Sequence, residues 1–256
     1  MRDTARSDDF FVVVPFYNEE RSLPATLRAL TDQTDRDFSL VLVDNGSTDG
    51  SVDVARRFAQ AHPPFPVQVL HEPQKGTGAA SDTGFRRAIS LGARWIARTD
   101  ADCIPRRDWI ANLKRALVVD GLEFVAGKIR PRTDESPLTV MDRTVLPAML
   151  WIAEHYGRIH RRGPQFKYPY FMAAGNNLAI TAALYEATGG FPRSAIEEMH
   201  EDRVLSEKVR TLTAKAAVRE DVVVFNSVRR VRAYGYLNTL RWYRNHGYRP
   251  RIVDVR

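Results

Sequence analysis

Residues 10–20 read FFVVVPFYNEE, an apolar run followed at once by polar and acidic side chains. Phe10–Val14 is short, rich in β-branched residues and closed by Pro15, which is typical of a buried strand. The pattern returns at Leu40–Val43 and at Trp95–Arg98, and an aspartate follows closely after each run. The repetition predicts strands that carry acidic side chains at their ends.

Helical patterns separate these strands. Leu23, Leu27 and Leu30 have the spacing of one helix face behind Ser22, and a third strand is predicted at Val67–Leu70. Further helices are predicted at Ser51–Ala61 and behind Asp108, and a glycine-rich loop at Gly76–Gly84 is predicted to run into a helix that ends near Leu91. This alternation implies right-handed crossovers and an α/β fold with a mainly parallel central sheet flanked by helices.

The second half of the chain is less regular. Strands are predicted at Phe124–Ile129, Asn177–Ile180 and Val222–Val228, and helices around Leu146–Ala153 and at Arg203–Thr213. No linker separates two domains, so we expect a single domain over residues 1–256.

The composition excludes several classes of protein. The 256 residues are 44% hydrophobic and 27% charged, which rules out collagen-like, disordered and membrane-spanning chains. The polar N-terminus is unlike a signal peptide. Cys103 is the single cysteine, so no internal disulfide can form and a cytoplasmic location is expected.

The net charge of +7 is concentrated at the C-terminal end. Residues 203–256 hold 13 Lys and Arg against 4 Asp and Glu. Such a basic segment predicts an anionic acceptor or partner, either an acidic carrier protein or a membrane surface. Nucleic acid is not expected as a partner, because a nucleic-acid-binding protein has no use for the acidic strand ends. The oligomeric state is left open.

The acidic strand ends point to a cation. The carboxyl ends of parallel strands meet at one edge of a sheet, where clustered carboxylates need a cation or hydrogen-bond donors. Asp100 and Asp102, two apart in a turn, suit Mg²⁺ or Mn²⁺, which takes one or two carboxylates plus phosphate oxygens. The glycine motifs of dinucleotide-binding folds and of Walker-type loops are absent.

These motifs resemble the family 2 inverting glycosyltransferases of the GT-A fold. The similar segments are VVPFYNEE (13–20), VDNGSTDG (43–50), DAD (100–102), AGNNLA (174–179), GGF (189–191) and HEDRVL (200–205). The resemblance implies two halves, about 8–120 for the nucleotide sugar and about 121–256 for the acceptor, the latter with the basic segment. This sequence departs from the family at Ser81 and Asp82, where family members often have an Arg-Asn pair. The identity of the donor sugar is therefore left open.

The resemblance also implies roles for individual residues. Those implied to bind the nucleotide sugar are Pro15, Tyr17, Asn18, Glu19, Asp44, Asn45, Lys75, Gly76, Asp100 and Ala101. Asp102 is implied to ligate the metal, and Asp202 to be the general base, with Glu201 as the alternative. Those on the acceptor side are Gly175, Asn176, Asn177, His200, Arg241 and Trp242, the last two in a stretch similar to the Arg/Trp segment of processive polysaccharide synthases.

We therefore expect a metal-dependent inverting glycosyltransferase that uses a nucleotide sugar, with a UDP-linked hexose or N-acetylhexosamine as the donor. The expected acceptor is discrete, a small molecule or a carrier-bound natural-product intermediate. One alternative is polysaccharide or lipid-linked glycan synthesis by a protein peripheral to a membrane. Another is a sugar-phosphate nucleotidyltransferase, although PFYNEE stands where that class needs a glycine- and Arg/Lys-rich loop.

Overall fold

The first strand has both faces covered by apolar side chains. In the computed structural model, which describes residues 9–61, 63–135, 137–193 and 200–239, all seven residues of Phe10–Phe16 are buried. Successive side chains of a strand point to opposite faces. Accordingly Val12 and Val14 belong to one hydrophobic core, while Phe11 and Val13 belong to another on the opposite face. A strand of this kind is central to its sheet.

The described residues form eight strands and eight helices. The strands are β1 (Phe10–Phe16), β2 (Ser39–Asp44), β3 (Val67–His71), β4 (Trp95–Thr99), β5 (Cys103–Pro105), β6 (Phe124–Pro131), β7 (Asn177–Thr181) and β8 (Ala216–Asn226). The helices are α1 (Leu23–Thr31), α2 (Ser51–Gln60), α3 (Thr77–Ser90), α4 (Trp109–Lys114, continued by a π-helical turn at Arg115–Val119), α5 (Val140–His160), α6 (Ala182–Thr188), α7 (Glu201–Leu212) and α8 (Arg229–Tyr234). In this part of the chain no helix combines the length and apolar character needed to cross a bilayer.

The sheet is mixed, with four parallel and three antiparallel pairings, which agrees with the expectation of a mainly parallel sheet. Its strand order is β3-β2-β1-β4-β7-β6-β8-β5. The four strands from β3 to β4 are parallel, as predicted, but β7 is antiparallel to both β4 and β6, and β5 is antiparallel to β8. The excursion through α5 returns the chain to the edge at which β6 ended, so β7 enters the sheet in the opposite direction.

Helices cover both faces of this sheet. α1, α2 and α4 contribute to the core that contains Val12, and α3, α6 and α7 to the core that contains Val13. Ser22 and Asp108 precede helices as predicted, but neither makes a side-chain capping bond. Asp108 instead pairs with Arg106 at 2.6 Å. The strand predicted at Val222–Val228 begins earlier, at Ala216, and ends at Asn226.

Candidate active site

A cleft of about 260 Å³ opens at the sheet edge where β4, β6 and β8 end and β7 begins. Asp100 and Asp102 reach it from the turn after β4, and Gly175 and Asn176 from the loop before β7. Asp202, in the first turn of α7, lines the same cleft. The topology therefore brings together acidic residues that lie about a hundred positions apart in the sequence.

A buried guanidinium holds this acidic cluster together. Arg98, the fourth residue of β4, is 1% exposed. Its Nη2 lies 3.1 Å from Oδ1 of Asp100, and its Nη1 lies 3.1 Å from Oε1 of Glu201. The backbone of Gly175 packs directly against the same group, since a Cβ there would lie 2.9 Å from it. Because a buried charge needs such partners, Arg98 positions both carboxylates.

The two candidate bases have different partners. Glu201 is buried and committed to its ion pair with Arg98. Asp202 accepts hydrogen bonds from the backbone N–H groups of Gly175 at 3.0 Å and Arg203 at 2.7 Å. Burial raises the pKa of both carboxyl groups above their ordinary values, although Arg98 works in the opposite direction. A carboxylate with a raised pKa is a better proton acceptor, and Asp202 is the one without an ion pair to Arg98.

The predicted metal ligand lies beside a second guanidinium. Nη2 of Arg229, at the start of α8, lies 2.9 Å from Oε2 of Glu19 and 3.3 Å from Oδ2 of Asp102. Arg229 thus joins the end of β1 to the end of β4. Burial would lower the pKa of Arg229, but Glu19 and Asp102 outweigh it and raise the pKa. The guanidinium stays charged at any pH at which the protein is folded.

The residues present fit a divalent cation that arrives with a diphosphate. In the described residues no three His, Cys, Asp or Glu side chains converge as a complete protein site. Asp100 and Asp102 are about one-third and one-quarter exposed, and both face the cleft. Magnesium and manganese take hard oxygen ligands and commonly bind through one or two carboxylates plus substrate phosphates. These two aspartates supply such ligands.

Loops beyond β1 and β2 form the rest of the predicted nucleotide region. Asp44 accepts a hydrogen bond from the N–H of Ser47 at 2.9 Å and contacts Nδ1 of His71 at 2.9 Å. Burial would raise the pKa of Asp44, but these bonds outweigh it and lower the pKa. Nζ of Lys75 lies 3.6 Å from the ring centre of Tyr17. The Lys75 ammonium group therefore makes a cation–π contact with the Tyr17 ring.

Several residues predicted to bind the nucleotide also hold the surrounding loops in place through hydrogen bonds to their backbone. Asn45 is buried, and its amide bonds the backbone of Glu72, Gln74 and Gly76. Asn18 has a φ of 51°, which asparagine tolerates, and its Oδ1 accepts the N–H of Thr48 at 2.8 Å. Pro15 and Ala101 are buried. These residues shape the loops from which Tyr17, Glu19 and Asp44 project.

On the acceptor side the structure corrects one residue. Asn177 is fully buried, and its amide accepts a hydrogen bond from Trp109 Nε1 and donates to the carbonyls of Lys128 and Val222. It stabilises the sheet and cannot face an acceptor. Asn176, by contrast, lines the cleft, and its Oδ1 has no hydrogen-bond partner among the described residues. His200 also lines the cleft. The predicted acceptor residues Arg241 and Trp242 lie outside the described residues.

The departure at Ser81 and Asp82 has a structural explanation. Asp82 is buried in α3 and pairs with Arg86 at 2.9 Å and with Arg193 at 3.3 Å. The hydroxyl of Tyr185 donates to it at 2.8 Å. Gly190, at φ +82°, allows this approach, since a Cβ there would lie 2.6 Å from Asp82 Oδ1. Asp82 therefore links α3 to α6 and to Arg193 in the loop that follows it.

Sequence reasoning missed Arg98 in the cleft and Arg193 beside α3. Arg98 could have been found, since a charged side chain inside an apolar strand needs a buried partner. Arg229 belongs to the basic segment identified from the sequence, but its contacts with Glu19 and Asp102 were not predicted, because these residues lie more than a hundred positions away.

The comparisons with known proteins agree with this architecture. The family model described as glycosyl transferase family 2 matches residues 11–186. Glycosyltransferase AglE of Haloferax volcanii is 32% identical over 120 residues, covering 46% of this chain and 38% of that protein. The UDP-N-acetylglucosamine–dolichyl-phosphate N-acetylglucosaminyltransferase of Methanococcus voltae is 27% identical, covering 46% and 50%. The undecaprenyl-phosphate 4-deoxy-4-formamido-L-arabinose transferase of Aeromonas hydrophila is 41% identical, covering 48% and 37%.

Two solved structures have the same fold. The mannosyltransferase PcManGT from Pyrobaculum calidifontis, in complex with GDP-Man and Mn²⁺, superposes with a TM-score of 0.66 at 24% identity, covering 94% of this chain and 64% of that one. S. aureus TarS 1-349 in complex with UDP-GlcNAc superposes with a TM-score of 0.63 at 15% identity, covering 86% and 58%. The chain spans half or less of the length of the curated relatives named above.

Proposed function

Because this chain belongs to glycosyl transferase family 2 and has the GT-A fold, we propose that it transfers a sugar from a nucleotide sugar to an acceptor with inversion at the anomeric carbon. The observation that carries the proposal is the convergence of Asp100, Asp102 and Asp202 on one cleft around buried Arg98. We favour a UDP-linked donor, because the family resemblance implies that Asp44, at the end of β2, contacts the edge of the base, which is most often uracil.

The proposed reaction is a single displacement. An acceptor oxygen forms a bond to the anomeric carbon while the bond from that carbon to the diphosphate oxygen breaks. Asp202 takes the proton of an acceptor hydroxyl, and Gly175 and Arg203 hold its carboxylate in place through their N–H groups. Arg98 orients the carboxylates of Asp100 and Glu201 beside it and favours their charged forms.

A divalent cation held by Asp102, with Asp100 alongside, would stabilise the negative charge that grows on the leaving diphosphate. Arg229 lies close enough to Asp102 to supply further positive charge on the same side. Both groups would stabilise the leaving diphosphate, whereas Asp202 would act on the acceptor. This separation is what an inverting displacement needs, because the nucleophile and the leaving group lie on opposite sides of the reacting carbon.

Two classes of acceptor remain open. A discrete small molecule or carrier-bound acceptor suits a cleft formed by one compact domain. A lipid-linked phosphate acceptor is favoured by two relatives whose names specify dolichyl phosphate and undecaprenyl phosphate. Nucleotidyl transfer has no supporting observation, since none of the three comparisons above points to that class.

The test begins with binding of the donor. Melting temperature is measured with UDP-, dTDP- and GDP-sugars, each with Mn²⁺ and with excess EDTA. We expect a UDP-sugar to raise it most, and EDTA to reduce that shift. Transfer of labelled sugar is then followed in detergent solution to a polyprenyl phosphate and to small hydroxyl acceptors, and NMR of the product gives its anomeric configuration. If no nucleotide sugar raises the melting temperature, or if configuration is retained, the proposal is wrong.

A further inference from the structure

We propose that Arg229 competes with the divalent cation for Asp102, so that the cation binds tightly only together with a diphosphate. The guanidinium of Arg229 holds the Asp102 carboxylate until the phosphate oxygens of the nucleotide sugar take the guanidinium over. This inference rests on the proposed function, since it takes Asp102 as the metal ligand. It adds the order of binding and the residue that sets that order.

Arg229 bridges two carboxylates that follow different strands. Its Nη2 lies 2.9 Å from Oε2 of Glu19, beyond β1, and 3.3 Å from Oδ2 of Asp102, beyond β4. Oε1 of Glu19 lies 3.2 Å from the same nitrogen. The Glu19 side chain is only 10% exposed, and that of Asp102 is 26% exposed. Because partly buried carboxylates need a counter-charge, a cation that binds Asp102 has to replace the one supplied by Arg229.

The backbone of Asp102 is held by a different arginine. Its carbonyl accepts a hydrogen bond from Nη1 of Arg132 at 2.9 Å. Arg132 is buried and donates two hydrogen bonds to the carboxylate of Asp134, at 2.7 and 3.0 Å, and it also pairs with Glu135 at 3.1 Å. The turn that carries Asp102 therefore stays in place when the contact between its carboxylate and the partly exposed Arg229 breaks.

Arg229 lies where a diphosphate can reach it. The residues on either side of it, Val228 and Arg230, line the same cleft as Asp102. Its Nε lies 3.0 Å from Oγ of buried Ser227, which anchors the side chain near its end. The planar guanidinium matches phosphate oxygens as well as it matches a carboxylate. Phosphate oxygens can thus replace Asp102 as acceptors for Arg229, which leaves the carboxylate available to the cation.

This exchange couples the two binding events. A diphosphate that accepts Arg229 relieves Asp102, and by linkage each ligand strengthens the other by the same factor. Among the residues that the structure describes, no three His, Cys, Asp or Glu side chains form a metal site, so phosphate oxygens are also expected as ligands. Shared ligation alone would couple the ligands too, but that coupling would not depend on Arg229.

The test measures binding of Mn²⁺ without turnover. Free Mn²⁺ is followed by electron paramagnetic resonance during titration with protein, with and without UDP, and the Mn²⁺ held by UDP in solution is subtracted. In the parent chain, UDP should tighten Mn²⁺ binding roughly tenfold or more. Arg229→Gln should bind Mn²⁺ alone about five- to twentyfold more tightly than the parent, because the competing guanidinium is gone. Its further gain from UDP should be smaller.

A charge-matched control separates competition from net charge. Arg130 is exposed and lines the same cleft, so Arg130→Gln removes an equal charge and should change the affinity for Mn²⁺ alone by less than about twofold. Adding Asp102→Asn to Arg229→Gln should abolish the gain in Mn²⁺ affinity, since the ligand is then removed. Circular dichroism establishes that each variant folds. If Arg229→Gln does not fold, Arg229→Lys, which lacks the planar fork, should show a smaller gain of the same sign.

The outcomes distinguish this inference from the proposed function. If Arg229→Gln, or Arg229→Lys in its place, binds Mn²⁺ alone no more tightly than the parent, or if Arg130→Gln gains equally, the inference is wrong. Tighter binding of Mn²⁺ by the parent with UDP would leave the proposed cation site standing in either case. If the parent binds no Mn²⁺ even with UDP, the proposed cation site itself fails, and this inference fails with it.

Discussion

Asp202 and Glu201 are adjacent in sequence, but their carboxylates are held differently, and this difference separates their proposed roles. The Glu201 carboxylate is paired with Arg98, whereas that of Asp202 is held by backbone N–H groups at the cleft. Only a carboxylate that can change its protonation without breaking an ion pair suits repeated proton transfer.

Asp202→Asn should therefore lower kcat by about 10²–10⁴-fold, because the amide cannot accept the proton. The affinity for the nucleotide sugar, measured by calorimetry, should change little. Glu201→Gln serves as the matched variant and should cost less activity but more stability. Transfer by Asp202→Asn within a few-fold of the parent would move the base to Glu201.

Arg98 gives a second prediction at this scale. Arg98→Met should lower the free energy of unfolding by about 3–5 kcal/mol, because it leaves the buried carboxylate of Glu201 and the part-exposed carboxylate of Asp100 without their cation. Urea denaturation measures the loss. Arg94→Met, at an exposed arginine beside the same strand, should change stability by less than about 1 kcal/mol. Similar losses in both variants would show that Arg98 does not hold the cluster.

Among the elements, α5 and α8 are joined by one carboxylate. Asp142 closes the capping box of α5 with Thr139 and also accepts hydrogen bonds from Arg232 and Tyr236. α8 carries Arg229, which contacts Glu19 and Asp102. α5 is thus connected through α8 to the acidic cleft.

Asp142→Asn should lower the free energy of unfolding by about 1–3 kcal/mol, since the amide cannot accept every hydrogen bond that the buried carboxylate accepts. Asp53→Asn makes the same change in the first turn of α2, where the side chain is exposed, and should cost at most a few tenths of a kcal/mol. Chemical denaturation compares the two. If both variants lose the same free energy of unfolding, Asp142 contributes only through its negative charge in the first turn of α5.

The elements also show how far the sequence predicts this fold. The four parallel strands were predicted nearly to the residue, because each is a continuous apolar run with a turn at its end. β5 was missed, since its three residues, Cys103–Pro105, are defined only by pairing with β8, more than a hundred residues later. α6 was missed because it is a single short stretch between β7 and a glycine pair.

In the site, acidic residues were predictable from strand ends, but the guanidinium partners depend on tertiary contacts. Arg229 and its partner Glu19 lie 210 positions apart. Asn177 was misassigned for the same reason, because its burial beneath Trp109 is a property of the sheet rather than of the motif. The roles proposed for the nucleotide-binding and acceptor residues remain predictions.

At the scale of the whole molecule, acid should affect activity before it affects the fold. Hydrogen bonds outweigh burial at Asp44, Glu72 and Asp142 and lower their pKa values, so the stability they contribute is present above about pH 4 and is lost as pH falls further. Burial raises the pKa of Asp202, so on acidification Asp202 takes up its proton, and can no longer accept one, at a higher pH than those three carboxylates. Because its folded-state pKa is raised, its protonation does not itself destabilise the fold. The acid limb of kcat/KM should lie above the pH at which the melting temperature falls. If kcat/KM and the melting temperature fall over the same pH range, acid does not affect activity before the fold and this prediction is wrong.

The antiparallel pairing of β4 with β7 bears on how such a chain can diversify over evolutionary time. Five residue pairs of that ladder form the seam between the predicted donor and acceptor halves. The carboxylates of both halves meet there around Arg98. Residues beyond the seam could be replaced or inserted while the first four strands keep their geometry, provided that the β7 register, a partner for Arg98, and the contacts of Asp82 with Tyr185 and of Glu19 with Arg229 are preserved. New acceptors could then be acquired by changes between these contacts, with the first four strands inherited largely unchanged.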